Sequence, residues 1–187
     1  MFMDEARFGR ITDARRCWAP KPERPVALTT VSHENTYAYT AANVRNGQTV
    51  SLILPYLNGE CMQKFVDELS SRYPKSRVIM VLDGAAWHKP GKMLTLPHNI
   101  RLVVLPPNSP QLNPVENLWD ELREKFFHNR VFNSFDGLED NLVDALRYLS
   151  ANKEIVKSIT CWHWIAKAFP NLRQKRHFED LQREGAA

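Results

Sequence analysis

Val78-Ile79-Met80-Val81-Leu82 is the longest purely apolar run in the chain, and Asp83-Gly84 ends it. A near-continuous apolar run of this kind predicts a strand buried on both faces, as in a parallel sheet with helices on each side. The run is far too short to span a membrane. The remaining elements therefore have to supply neighbouring strands and two layers of helix.

They are readable in order. Met1 to Gly9 predicts a first strand with Asp4 and Glu5 inside it. A basic stretch with Trp18, Pro20, Pro22 and Pro25 predicts a loop or short edge ribbon. Val26 to Val44 is rich in Thr, Val, Ala and Tyr and predicts strand pairing. Asn46-Gly47 predicts a two-residue hairpin turn, with Thr49 to Leu54 as the returning strand. Asn58-Gly59 opens a helix that carries Met62, Phe65, Val66 and Leu69 on one face, and Pro74 ends it. After the apolar strand, a short helical or irregular piece at Lys92 to Leu96 leads to a fifth strand, Ile100 to Leu105. Each of the last two strands follows a crossover, so both should lie parallel to the first.

Asn113 reads as the N-cap of the next helix and Pro114 as its first residue, with Val115, Leu118, Trp119, Leu122 and Phe126 as a core stripe. Ser134 caps a further helix built on Leu138, Leu142, Ala145, Leu146 and Leu149. A last helical region is predicted from Lys153 to Phe169, stopped by Pro170, and Asn171 to Ala187 reads as a solvated tail. The fold class is α/β: a five-stranded mixed sheet flanked by helices, in one domain of ordinary size for 187 residues.

Charge narrows the partners. The net charge is +4, and the segment from Ala6 to Pro25 carries all of that excess: Arg7, Arg10, Arg15, Arg16, Lys21 and Arg24 stand against Asp13 and Glu23. A local basic patch points to a polyanion such as DNA, and a solvated loop is the alternative. Trp18, within it, can stack on a base or anchor the loop. Cys17, Cys61 and Cys161 are odd in number and lack CxxC spacing, so free thiols in a reducing, cytoplasmic setting are expected. Cys161-Trp162-His163 lacks the second pair a zinc site needs. No signal peptide and no membrane partner are expected. Trp162 and Trp164 lie two apart, so one should pack while the other is left for a partner such as a second protomer.

Three acids stand out by position: Asp4 in the first strand, Asp83 at the carboxyl end of the fourth, and Glu116 in the first turn of the helix after the fifth. Functional crevices of open α/β sheets lie outside the carboxyl ends of the parallel strands. Taken singly, Asp4 is an ordinary strand charge, Asp83-Gly84 a turn, and Glu116 a capping-box carboxylate. Taken together they form a set of oxygen ligands that repel one another without a cation and select a hard ion, Mg²⁺ or Mn²⁺.

The segments Phe2-Met3-Asp4-Glu5-Ala6-Arg7-Phe8-Gly9, Leu82-Asp83-Gly84-Ala85-Ala86-Trp87-His88 and Ser109-Pro110-Gln111-Leu112-Asn113-Pro114-Val115-Glu116-Asn117-Leu118-Trp119 together resemble the DDE catalytic domain of mariner-like transposases, and most closely its bacterial insertion-sequence branch. The resemblance covers Met1 to about Leu149. It implies a ribonuclease H-like fold over residues 1–170, with 171–187 as the tail. It also implies two Mg²⁺ (or Mn²⁺) ions held by Asp4, Asp83 and Glu116. Its chemistry is hydrolysis of a phosphodiester at each element end, then attack of the freed 3′-hydroxyl on double-stranded target DNA, usually at a TA dinucleotide.

Glu5 belongs to the motif but should face away from Asp4, because adjacent strand residues point to opposite faces. His88 and Asn117 could orient water, phosphate or a carboxylate, or could be structural. Relatives carry helix-turn-helix modules ahead of this domain. The chain starts three residues before Asp4, so that region is expected to be absent from it. An active transposase, an inactive DNA-binding or interaction remnant, and a non-specific nuclease of the same fold are the competing expectations.

Overall fold

The computed structural model describes residues 1–10, 18–23, 32–89, 91 and 94–168. Five strands form one sheet in the order β3-β2-β1-β4-β5: β1 (Phe2–Gly9), β2 (Asn35–Ala42), β3 (Thr49–Leu54), β4 (Val78–Leu82) and β5 (Ile100–Val104). β1, β2 and β3 run antiparallel, from Phe2 opposite Ala42 to Gly9 opposite Asn35, and from Tyr37 opposite Leu54 to Ala42 opposite Thr49. β4 lies parallel to β1, with Phe2 opposite Val81, and β5 lies parallel to β4. The crossover rule thus places the last two strands as expected.

Alternation along β1 assigns each residue to a layer. Phe2, Ala6 and Phe8 face α2 (Val115–Leu122) and α3 (Phe135–Ala151), where Leu118, Trp119, Leu122, Leu138 and Leu142 are fully buried. Met3 faces the other layer, α1 (Gly59–Arg72), and packs with Met62, Phe65 and Leu69. Both long helices are capped as the sequence predicts: Asn58 accepts from the Cys61 N–H at 2.8 Å, and Ser134 accepts from the Gly137 N–H at 3.0 Å.

Three local expectations are corrected. The β2–β3 connection is not a two-residue hairpin. The strands stop at Ala42 and Thr49, and the Gly47 N–H donates to the Asn43 carbonyl across a longer turn. Asn43 and Asn46 side chains accept from the Arg45 and Gln48 N–H groups, so local Asx bonds outcompete the tight turn.

Second, the helix expected from Lys153 to Phe169 is two helices, α4 (Lys153–Thr160) and α5 (His163–Ala168). At the break the Trp162 N–H bonds the Thr160 carbonyl, and the Thr160 hydroxyl bonds back to Val156. Third, Phe127 is buried and Phe126 only partly so. After Leu122 the chain takes one π-turn, Arg123–Phe127, with the His128 N–H bonded to the Arg123 carbonyl. The extra residue in that turn rotates the stripe by one position.

Residues 26–31, Lys92, and the tail from 169 onward lie outside the described residues. Among the described ones, no helix is long and apolar enough to cross a membrane.

Candidate active site

The register of the sheet brings the first two acids level. Phe2 is paired with Val81, so Asp4 and Asp83, each two residues further on, stand side by side where β4 ends. The third acid arrives through the turn before α2. Asn113 is extended and Pro114 already helical, the arrangement expected of an N-cap followed by proline. The Asn113 Oδ1 accepts from the Val115 N–H at 3.2 Å, while its Nδ2 donates to the Met3 carbonyl at 3.0 Å. The Asn113 N–H is spent on the Pro110 carbonyl at 2.8 Å. A capping box would need that N–H for Glu116, so the glutamate is released from the bland role its position suggests.

Asp4, Asp83 and Glu116 line one cleft of about 440 Å³, walled on the far side by Val104, Leu105 and Pro106. Asp4 is the deepest, 8 % exposed, with its Oδ2 accepting from the Trp119 indole at 2.7 Å. Its carboxyl is pushed up to about 8, first by burial and then by the charge of Glu116. The Trp119 bond opposes that rise, and Glu5 and Asp83 add to it. Burial also raises Glu116. Arg123 works against this rise, and Asp120 and Asp83 reinforce it. Asp83 moves the other way, held low chiefly by the hydrogen bond from His88.

An all-oxygen set whose deepest member resists ionisation because of burial and its acidic neighbours is the chemistry that a hard divalent cation relieves. The residues therefore fit such an ion. Among the described residues, however, no three Asp, Glu, His or Cys side chains meet closely enough to form a finished metal cage. The acids surround the cleft, and the carboxylate of Asp83 turns towards His88 and the Ala85 N–H.

Glu5 faces the opposite layer, as strand alternation requires, and takes no place in the cleft. It is nonetheless coupled to it. The His88 Nε2 lies 2.8 Å from Glu5 Oε1, and its Nδ1 lies 2.8 Å from Asp83 Oδ1. The Trp87 indole also donates to Glu5, at 3.2 Å. Both imidazole nitrogens thus face carboxylates, an arrangement that favours a doubly protonated ring. Burial disfavours that charge, yet the bonds to Asp83 and Glu5 hold the proton up to about 10. Asn117 is exposed and lies beside Asp120, Glu121 and Glu124 in a separate groove, so it is not brought to the acids.

The six basic candidates divide. Arg7 and Lys21 are exposed, as is Trp18. Arg10 is occupied: its guanidinium donates to the Phe132 and Asn133 carbonyls and pairs with Glu34. That makes it a structural strut rather than a free phosphate contact. Arg15, Arg16 and Arg24 lie outside the described residues.

Sequence reading missed two participants. Trp119 is a core residue that also touches Asp4, and nothing in the apolar periodicity distinguishes its N–H from its rings. Arg123, two helical turns past Glu116, lies 5.7 Å over the Phe8 ring and acts electrostatically on Glu116. The seven-residue spacing was its available signal.

A mixed five-stranded sheet with acids from β1, the end of β4 and the start of α2 facing one cleft defines a ribonuclease H-like α/β protein. The profile of a family described as DDE superfamily endonuclease matches residues 1–139, and the chain belongs to that family. Uncharacterized protein y4pE/y4sA of Sinorhizobium fredii is 35 % identical over 129 residues, spanning 68 % of this chain and 95 % of that protein.

Solved structures with the same fold include the Mos1 transposase paired-end complex with left transposon end. It has a TM-score of 0.55 and 15 % identity, and the match covers 86 % of this chain and 55 % of that one. The mariner Mos1 paired end complex with Mg has a TM-score of 0.60 and 15 % identity, over 90 % of this chain and 52 % of that one. A Mos1 paired end complex with Mn matches at 0.55 and 14 % identity, over 86 % and 55 %. The chain therefore spans about half the length of the Mos1 chains it matches.

Proposed function

We propose that this chain is the catalytic core of a transposase, with residues 1–170 as its catalytic domain and double-stranded DNA as its substrate. Asp4, Asp83 and Glu116 would hold two divalent ions, Mg²⁺ or Mn²⁺. Such ions, when bound, stabilise the attacking and leaving oxygens of an in-line phosphoryl displacement. The observation that carries this reading is the common cleft of three acids from three separate elements, the deepest held near 8 by burial and its acidic neighbours.

The other residues have supporting tasks. His88, braced by Glu5, fixes the Asp83 carboxylate. Arg123 offsets the charge of Glu116. Arg7 and Lys21 are the exposed candidates for backbone contacts, which hold DNA without reading its sequence and weaken with salt. In the first reaction a water oxygen attacks phosphorus and the P–O3′ bond breaks, leaving a 3′-hydroxyl. In the second, that hydroxyl attacks a target phosphodiester and displaces its 3′-oxygen. The bonds formed and broken are of one type, so no energy-rich cofactor is required. The family membership and the Mos1 likeness support the nuclease class, and the strand-joining half is the further step of the proposal.

Purified chain should nick supercoiled DNA with Mg²⁺ or Mn²⁺ and join a supplied, already cleaved 3′-hydroxyl end to a target duplex, neither of which requires end recognition. Asp83→Ala should abolish both activities while leaving the fold intact by circular dichroism, with a modest fall in thermal stability from the lost pairing with His88. Equal nicking by Asp83→Ala and wild type would refute the metal-site assignment. The second reading, an inactive DNA-binding remnant, draws on the absence of a finished cage among the described residues. DNA binding without any metal-dependent nicking by folded wild type would establish it.

A further inference from the structure

Asn113, Glu116 and Trp119 follow one another at three-residue intervals, and both outer members are hydrogen-bonded to β1. Asn113 donates to the Met3 carbonyl at 3.0 Å, and Trp119 donates to Asp4 Oδ2 at 2.7 Å. The start of α2 is therefore pinned to β1 on either side of Glu116, at two consecutive residues of the strand. We propose that Trp119 is a positioning residue for Asp4: its indole N–H anchors Oδ2 and leaves Oδ1 as the oxygen presented to the cleft.

The geometry asks for more than packing. Trp119 is 1 % exposed and meets Phe8 edge-on at 6.0 Å, contacts that a phenylalanine could also make. Core packing does not require an indole N–H aimed at a buried carboxylate. An indole is a donor only, with no lone pair to compete for a cation and no titration near neutral pH. Its rings are locked by the surrounding core, so the bond fixes the Asp4 rotamer at little entropic cost. Among the described residues, Oδ2 has this one hydrogen bond and Oδ1 has none. Outer-shell donors of this kind orient first-shell ligands.

This inference rests on the reading of Asp4 as a metal ligand, and its test separates the two. Trp119 is replaced in the full chain by 3-benzothienylalanine, which keeps the two-ring shape but puts sulfur in place of the N–H. Mn²⁺ affinity is measured by calorimetry and thermal stability by circular dichroism, alongside wild type and Leu122→Ala. Leu122 is fully buried on the same helix, so its truncation reports packing loss alone.

The expected result is Mn²⁺ affinity weakened by about tenfold to a hundredfold in the analogue, with a melting temperature lowered only by the loss of one buried hydrogen bond. Leu122→Ala should melt lower and keep its Mn²⁺ affinity within about twofold, since it leaves the bond in place. Unchanged affinity in the analogue, or an equal loss in Leu122→Ala, overturns the positioning role while wild-type binding stands. Wild-type protein that takes up no Mn²⁺ overturns the metal reading and this inference with it.

Discussion

Asp4→Asn should make the metal-free protein more stable. Asp4 lies 8 % exposed among Glu116, Glu5 and Asp83, and its carboxyl is held near 8 against an ordinary value of 3.8. At pH 7 the folded metal-free protein keeps a proton there that the unfolded chain has released. Holding it costs about 1.4 kcal/mol for each pH unit between the ordinary value and pH 7, about 4 kcal/mol in all. Asparagine has the same shape, carries no charge, and still offers an oxygen to the Trp119 indole. Its own burial takes back part of the gain, leaving a stabilisation of about 2–4 kcal/mol. For a domain of this size that raises the melting temperature by roughly 5–15 °C.

The pH dependence has a definite sign. Near pH 4 the wild-type carboxyl is protonated in the folded state and still partly so in the unfolded state, so the difference between the two proteins should be at its smallest there. As pH rises towards about 8 the unfolded state sheds the proton first. Wild-type stability therefore falls while that of Asp4→Asn does not follow it. Urea unfolding of both proteins in a chelator from pH 4 to 9 measures the difference, and subtraction removes every other titrating group. Saturating Mg²⁺ should stabilise wild type alone. An Asp4→Asn protein no more stable than wild type at pH 8, or a difference that does not grow with pH, would refute the reasoning.

One further substitution tests a support of the site and another a close contact elsewhere in the fold. His88→Ala strips the imidazolium from Glu5, whose side chain is 6 % exposed, and should cost about 3–5 kcal/mol by urea unfolding. The contribution of His88 is full below its ordinary value of 6.5 and is lost as pH rises through about 10, so the deficit should shrink in strong alkali. Gly47→Ala should lose about 2–4 kcal/mol with Mn²⁺ affinity kept. Gly47 has a positive φ of 69°, and an added Cβ would lie 1.9 Å from the Lys153 carbonyl oxygen.

Much of the architecture is local in origin and can be read from the order of residues alone. The apolar run Val78–Leu82 demands a buried central strand, Asn58 and Ser134 mark helix starts, and Pro74 marks a helix end. Each is a statement about neighbouring residues and water, which periodicity and capping chemistry carry directly. The three acids are legible in the same way, because strand ends and helix starts are themselves readable and place their residues at one edge of the sheet.

What the chain could not disclose by itself depends on partners far away in sequence. Arg10 looks like a free cation until the carbonyls at 132 and 133 come to occupy it. The capping role of Glu116 is foreclosed by the Pro110 carbonyl, and the place of Phe127 in the core is decided by a π-turn. Trp119 and Asp4 are 115 positions apart, and Glu5 and His88 are 83 apart. No propensity registers a hydrogen bond between such residues. The packed core closes those distances, and at that range one donor decides whether a buried carboxylate is held, freed or left protonated.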